Sequence, residues 1–189
     1  MLLRKLFLLI SFYFLLFTTA NAQCTGVINS FPYQEDFETS NGGWTTGGTA
    51  SDWTWGTSVK PVIHTAASGT KCWIKGGLTS SHYNNNENSW LQSPCFNFTN
   101  VVHPYIKFNA FGETEKKYDG ASLRYSIDGG TTWNLLGSYA DSLNCPSSNW
   151  FNTQNITALG FDGWTGNIQT TSACNGGAGG GRGRWVLAQ

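Results

Sequence analysis

Three carboxylates, Glu35, Asp36 and Glu38, fall within four residues of the 189-residue chain. On an extended strand, residues two apart share a face, so Asp36 and Glu38 would project together. Hard oxygen donors side by side suit Ca²⁺, which takes six to eight of them. A solvated acidic strand edge is the competing reading. Paired carboxylates about 5–5.5 Å apart also serve retaining glycoside hydrolysis. The run Glu35-Asp36-Phe37-Glu38 lacks the acid-x-acid-x-x-acid spacing of such sites, so hydrolysis is not expected of it.

A second group is Ser126, Asp128, Gly130, Thr132 and Trp133, which fits the Asp-box pattern S-x-D-x-G-x-T-W of sialidase propellers. Its physics is local: Asp128 accepts from turn amides while Trp133 packs beneath the hairpin. A propeller needs several copies at regular spacing, and one is present, so the pattern reads as a hairpin device. Nine tryptophans raise stacking on sugar rings as a further chemistry. Most are expected in the core. Trp164, in the loop Phe161–Gly166, is the candidate ligand platform. No Gly-x-Ser-x-Gly elbow, His-Glu-x-x-His or phosphate loop is found, and no catalytic residue is assigned. The glycines of 176–183 lack the Lys-Ser/Thr that a phosphate loop needs.

The elements that would position these residues are strands. In Pro104–Phe111, Ile106, Phe108 and Ala110 alternate with Tyr105, Lys107 and Asn109, a period of two with one face inward. Ala121–Ile127 repeats it, with Leu123, Tyr125 and Ile127 inward and Ser122, Arg124 and Ser126 outward. Asp128-Gly129-Gly130 then turns the chain into Thr131–Leu136, the best hairpin signal in the sequence. Shorter strands are expected at Tyr33–Glu38, Asp52–Gly56, Cys72–Lys75, Ser89–Gln92, Trp150–Asn155 and Trp185–Ala188. Asn84–Asn88 is expected as a polar loop, and the glycine-rich run 173–184 as a flexible connection. Short strands at this density predict an all-β, two-sheet antiparallel sandwich or jelly roll.

Met1–Lys5 is basic, Leu6–Phe17 is apolar apart from Ser11, and Ala20-Asn21-Ala22 offers small residues to a signal peptidase. The apolar run is too short to span a bilayer and fits a signal peptide over 1–22, cleaved on export. Gln23 before Cys24 argues against lipidation there. The full chain carries 11 basic and 11 acidic residues. Losing Arg4 and Lys5 with the signal leaves it slightly acidic, which excludes a phosphate-binding nucleic-acid surface. Cys24, Cys72, Cys95, Cys145 and Cys174 remain. In an exported chain they predict one or two disulfides of open connectivity and at least one unpaired thiol. They have no zinc spacing.

The order of motifs resembles a MAM domain of the bacterial kind. It runs from Asp36-Phe37-Glu38 through Gly43-Trp44, Asp52-Trp53, the small-residue stretch Ala67–Lys75 and Ser89–Pro94. Beyond these lie the 104–111 strand, Tyr118-Asp119-Gly120, the 121–136 hairpin and Asn149-Trp150. The resemblance covers roughly 31–189, after a lead-in at 23–30. It implies a concanavalin-like jelly roll that acts without catalysis in extracellular adhesion or ligand recognition, its ligand a protein or a glycan. It also implies a structural Ca²⁺ held through Asp36 and Glu38, Glu38 foremost. The alternative is a carbohydrate-binding accessory of a secreted hydrolase. MAM domains close on further strands with paired acids, so the sequence is expected to be incomplete at its C-terminal end. In a bacterial host the acceptor triplets Asn97-Phe98-Thr99 and Asn155-Ile156-Thr157 would be incidental.

Overall fold

A computed structural model describes residues 24, 26–79, 82–143, 147–167 and 183–189. The signal-like segment 1–22, Cys145, Cys174 and most of the glycine-rich run lie outside the described residues.

The chain is all-β, with antiparallel pairing dominant. β1 (Val27–Ile28) runs parallel to β6 (Cys95–Phe96). The other ladders are antiparallel. β2 (Thr45–Thr49) pairs with β5 (Asn88–Gln92), and β3 (Thr54–Gly56) with β4 (Cys72–Ile74). β7 (Phe108–Ala110) pairs with β12 (Val186–Ala188), and β8 (Arg124–Tyr125) with β9 (Asn134–Leu135). β10 (Thr153–Ile156) and β11 (Phe161–Gly163) form a bulged hairpin. One 3-10 turn, Tyr139–Leu143, completes the regular elements among the described residues. No helix among them is long and apolar enough to cross a membrane.

The strands are shorter than the alternation predicts, and for physical reasons. Only Phe108–Ala110 of the 104–111 run finds a partner, in β12. Ile106 precedes that ladder and is 44% exposed. In the 121–127 run Leu123 packs inward, but Tyr125 and Ile127, expected inside, are 42% and 87% exposed. Arg124, expected in solvent, stacks its guanidinium 4.1 Å over Phe161, and Ile127 belongs to the turn rather than the ladder. The strand expected at 33–38 does not form. Phe37 takes a positive φ of 62°, and the Glu35 and Asp36 carboxylates accept the backbone amides of Phe37 and Glu38, two residues on, instead. Such local bonds compete with a ladder.

The main core is built of rings. Buried Trp150, Phe151 and Ala188 pack with Phe108, Leu123, Leu135, Leu136 and Trp164. Trp164 meets Phe151 edge-on at 4.6 Å and Phe108 at 5.7 Å, the geometry aromatic quadrupoles favour. Ile156 is fully buried beside this core's hairpin. The earlier part of the chain buries less. It has a Phe31, Tyr33, Phe96 and Phe98 cluster, and Cys72 and Ile74 of β4 are buried. A Cys24–Cys95 disulfide joins the start of the chain to β6, which resolves part of the connectivity left open above. Cys72 is a buried free thiol whose pKa is raised by burial and by the charge of Glu38. Tyr83 Oη donates to Asp119 at 2.8 Å and Trp185 Nε1 to the Thr65 carbonyl at 2.8 Å, tying the two parts together.

Candidate functional site

The acidic opening is a clamp. Glu38 Oε1 accepts the Thr70 and Lys71 amides at 2.8 and 2.7 Å, and its Oε2 accepts Thr70 Oγ1 at 2.9 Å. Lys71 Nζ returns to the Glu38 carbonyl at 2.8 Å. The Lys71 and Thr70 amides hold the Glu38 carboxyl below the usual range. Asp36 Oδ1 accepts the Glu38 amide at 3.0 Å. No strand forms at 33–38, so the shared strand face expected for Asp36 and Glu38 is absent. Both Glu38 oxygens and Asp36 Oδ1 accept from the chain's own amides and hydroxyl, which gives these carboxylates a structural role. Among the described residues no three His, Cys, Asp or Glu side chains gather in a metal-holding group.

A second clamp was not read from the sequence. Asp52 accepts the Gly76 amide at 2.7 Å and the Asn84 amide at 2.9 Å, one on each oxygen. Lys60, only 6% exposed, donates to the Lys75 and Gly76 carbonyls at 2.8 and 3.3 Å. Burial pushes its ammonium pKa down, and Asp52 pulls it back up. Gly76 has φ +82°, and a Cβ there would stand 2.5 Å from Lys60 Nζ, so only glycine lets the turn close on the lysine. Glu87 sits beneath, accepting from Ser89 Oγ and from the Asp52 amide, with Lys75 Nζ at 3.6 Å. Asp52 and Lys60 lie eight positions apart with no periodic signal. The Asp52-Trp53 motif was the nearest hint.

The turn group forms a closed set of bonds. Asp128 Oδ1 accepts from Ser126 Oγ at 2.7 Å and from the Thr132 amide at 2.9 Å, and Oδ2 accepts from Thr132 Oγ1 at 2.6 Å. Gly130 donates its amide to Ser126 Oγ at 2.7 Å, and Trp133 Nε1 donates to the Gly130 carbonyl at 3.0 Å. Led by the Thr132 hydroxyl and amide, these donors bring the Asp128 pKa to about 2. The carboxylate stabilises a turn.

Trp164 is not an exposed platform. Its ring is packed among Phe108, Trp150 and Phe151, and its Nε1 donates to the Asn149 carbonyl at 2.9 Å. The position expected in a loop follows β11 directly and bridges to Ala121, which carries the indole inward. Among the tryptophans, Trp90 in β5 is 44% exposed and Trp133, at the Asp128 turn, 41%; of these two, Trp90 is the one that lies on a strand ladder. It lies across from Gly47 of β2. A Cβ on Gly47 would meet Trp90 Cζ2 at 2.3 Å, so the indole covers bare backbone.

The described carboxylates of this region thus serve as acceptors for the chain's own amides, while one indole is displayed on an open ladder. No family model matches the chain, and no solved structure matches it. A curated protein that it resembles is Bacillopeptidase F of Bacillus subtilis (strain 168), 28% identical over 151 aligned residues. The match takes in 70% of this chain. The chain spans about a tenth of that relative's length, so it is similar to a small region of a protein that is a peptidase by name.

Proposed function

We propose that the chain is a non-catalytic recognition module of an exported protein, binding an extracellular ligand in adhesion. The observation that carries this reading is the division of labour among its polar groups. Glu38, Asp52 and Asp128 spend their oxygens on backbone amides and hydroxyls, which suits a scaffold, whereas the Trp90 ring is left to the surface. The Cys24–Cys95 disulfide supports an oxidising, extracytosolic setting. The MAM-like motif order supports adhesion as the kind of work. To test it, the labelled, purified chain is applied to arrays of glycans and of extracellular proteins, with peptide and glycan hydrolysis followed in parallel. Saturable binding without turnover is expected. Turnover by the pure chain, or no saturable binding on either array, would overturn the reading.

A second reading makes the module an accessory of an exported hydrolase. It is favoured by the likeness to a tenth of a peptidase's length. Its mark would be that adding the chain to a neighbouring hydrolase domain raises turnover of an insoluble substrate but not of a soluble one.

A further inference from the structure

We infer that the outer face of the β2·β5 ladder, centred on Trp90, is a stacking site for a neutral saccharide. The inference rests on the recognition reading and names its ligand class. The register Thr45↔Gln92, Gly47↔Trp90 and Thr49↔Asn88 places these six residues on one face, because opposed residues share a face and alternate along each strand. On this face Thr45, Thr49, Asn88 and Trp90 are exposed and Gln92 is half-buried, whereas on the other face Thr46, Ser89 and Leu91 are half-buried and Gly48 is exposed. The pair is therefore supported from beneath and open above.

The chemistry of that face is selective. None of these six residues carries an ionisable side chain, so a charged ligand would find no counter-charge among them. The indole lies across Gly47, where any larger residue would collide with the ring: a Cβ there would approach three of its atoms to within 2.9 Å. Glycine thus seats the ring against backbone. The hydrophobic C–H face of a pyranose suits the open side of an indole. Threonine hydroxyls and the amide of Asn88 supply paired donors and acceptors for sugar hydroxyls around it. An apolar peptide would leave those groups unmet, which costs more than it gains.

The test is affinity electrophoresis of the full chain in gels containing hydroxyethylcellulose, galactomannan or pullulan, all neutral, with alginate as the acidic comparison. Retardation in at least one neutral gel is expected. W90A should lose it at least tenfold with an unchanged melting temperature, and W90F should keep part of it. Should W90A fail to fold, Thr49→Lys, an exposed change beside the intact ring, must weaken retardation several-fold. The inference is overturned if W90A or Thr49→Lys folds and is retarded as strongly as the parent, if only alginate retards the chain, or if no neutral gel does. Saturable binding to a protein array that W90A leaves untouched would overturn this inference and spare the recognition reading. Loss of all binding on every surface would end both.

Discussion

From residue 108 onward the chain is held by rings: Phe108, Trp150, Phe151 and Trp164 interlock edge to face around two short hairpins. Before residue 99 a smaller ring cluster and the Cys24–Cys95 bridge are joined by carboxylate clamps, with Glu38 gripping 70–71 and Asp52 with Lys60 gripping 75–84. The ring-built part gains from burial roughly in proportion to area. The clamp-built part gains from satisfied amides that would be costly if orphaned. The difference explains where surface is free. A segment stabilised from its own loops can leave an aromatic such as Trp90 outside, whereas the second part holds Trp150 and Trp164 within its ring cluster.

Substitutions sharpen that contrast, starting with the rings. Phe151 is fully buried, and Phe151→Ala is expected to cost about 3–5 kcal/mol in urea unfolding. Trp164→Ala should approach it and abolish any activity through unfolding rather than at a contact. A Trp164→Ala protein that melts like the parent would break the ring account.

Removing the Cys24–Cys95 bridge by double Ser replacement should cost about 2–4 kcal/mol, since it closes a loop of 71 residues. Asp52→Ala leaves the Gly76 and Asn84 amides without their acceptor and Lys60 without its nearby charge. It is expected to cost about 1–3 kcal/mol, with faster hydrogen exchange at Gly76 and Asn84. Equal exchange rates there would show that the clamp is incidental.

The smallest effect is one of pH. Glu38 and Asp128 have folded pKa values below their unfolded ones, Asp128 at about 2. Their contribution is therefore whole above the unfolded values of 4.5 and 3.8 and fades as pH falls through the folded values. Melting temperature should decline from about pH 4.5 toward 2. Glu38→Gln and Asp128→Asn should each flatten that decline, modestly because both groups are solvent-facing.

Much of this architecture was legible in the residues. Local turn chemistry announced the Asp128 hairpin, and alternation placed Phe108 and Leu123 inward. Cys72–Ile74, Asn88–Gln92 and Val186–Ala188 fell where strands were expected, within a residue or two. β2 was missed because Thr45-Thr46-Gly47-Gly48-Thr49 has no apolar alternation, its pairing being set by the Trp90 strand opposite. Ile127 misled because alternation assumes that a strand continues, and the Asp128 turn ends it, while Tyr125 sits in β8 with its exposed face outward. The Glu38 clamp joins residues 32 and 33 positions apart, and spacing alone could not tell an amide acceptor from a metal ligand. Trp164 and Trp90 exchanged roles for a similar reason, since an indole's surroundings are decided by its neighbours in space.

The account's central claim is that the carboxylates build the scaffold and the displayed indole does the binding. It is tested most directly by measuring affinity per folded molecule for the retarding neutral polysaccharide in Asp52→Ala and Trp90→Ala, well below both melting temperatures. The account predicts that Asp52→Ala is less stable yet binds as the parent does, and that Trp90→Ala is as stable as the parent yet binds at least tenfold more weakly. Binding lost with Asp52 and kept without Trp90 would contradict it.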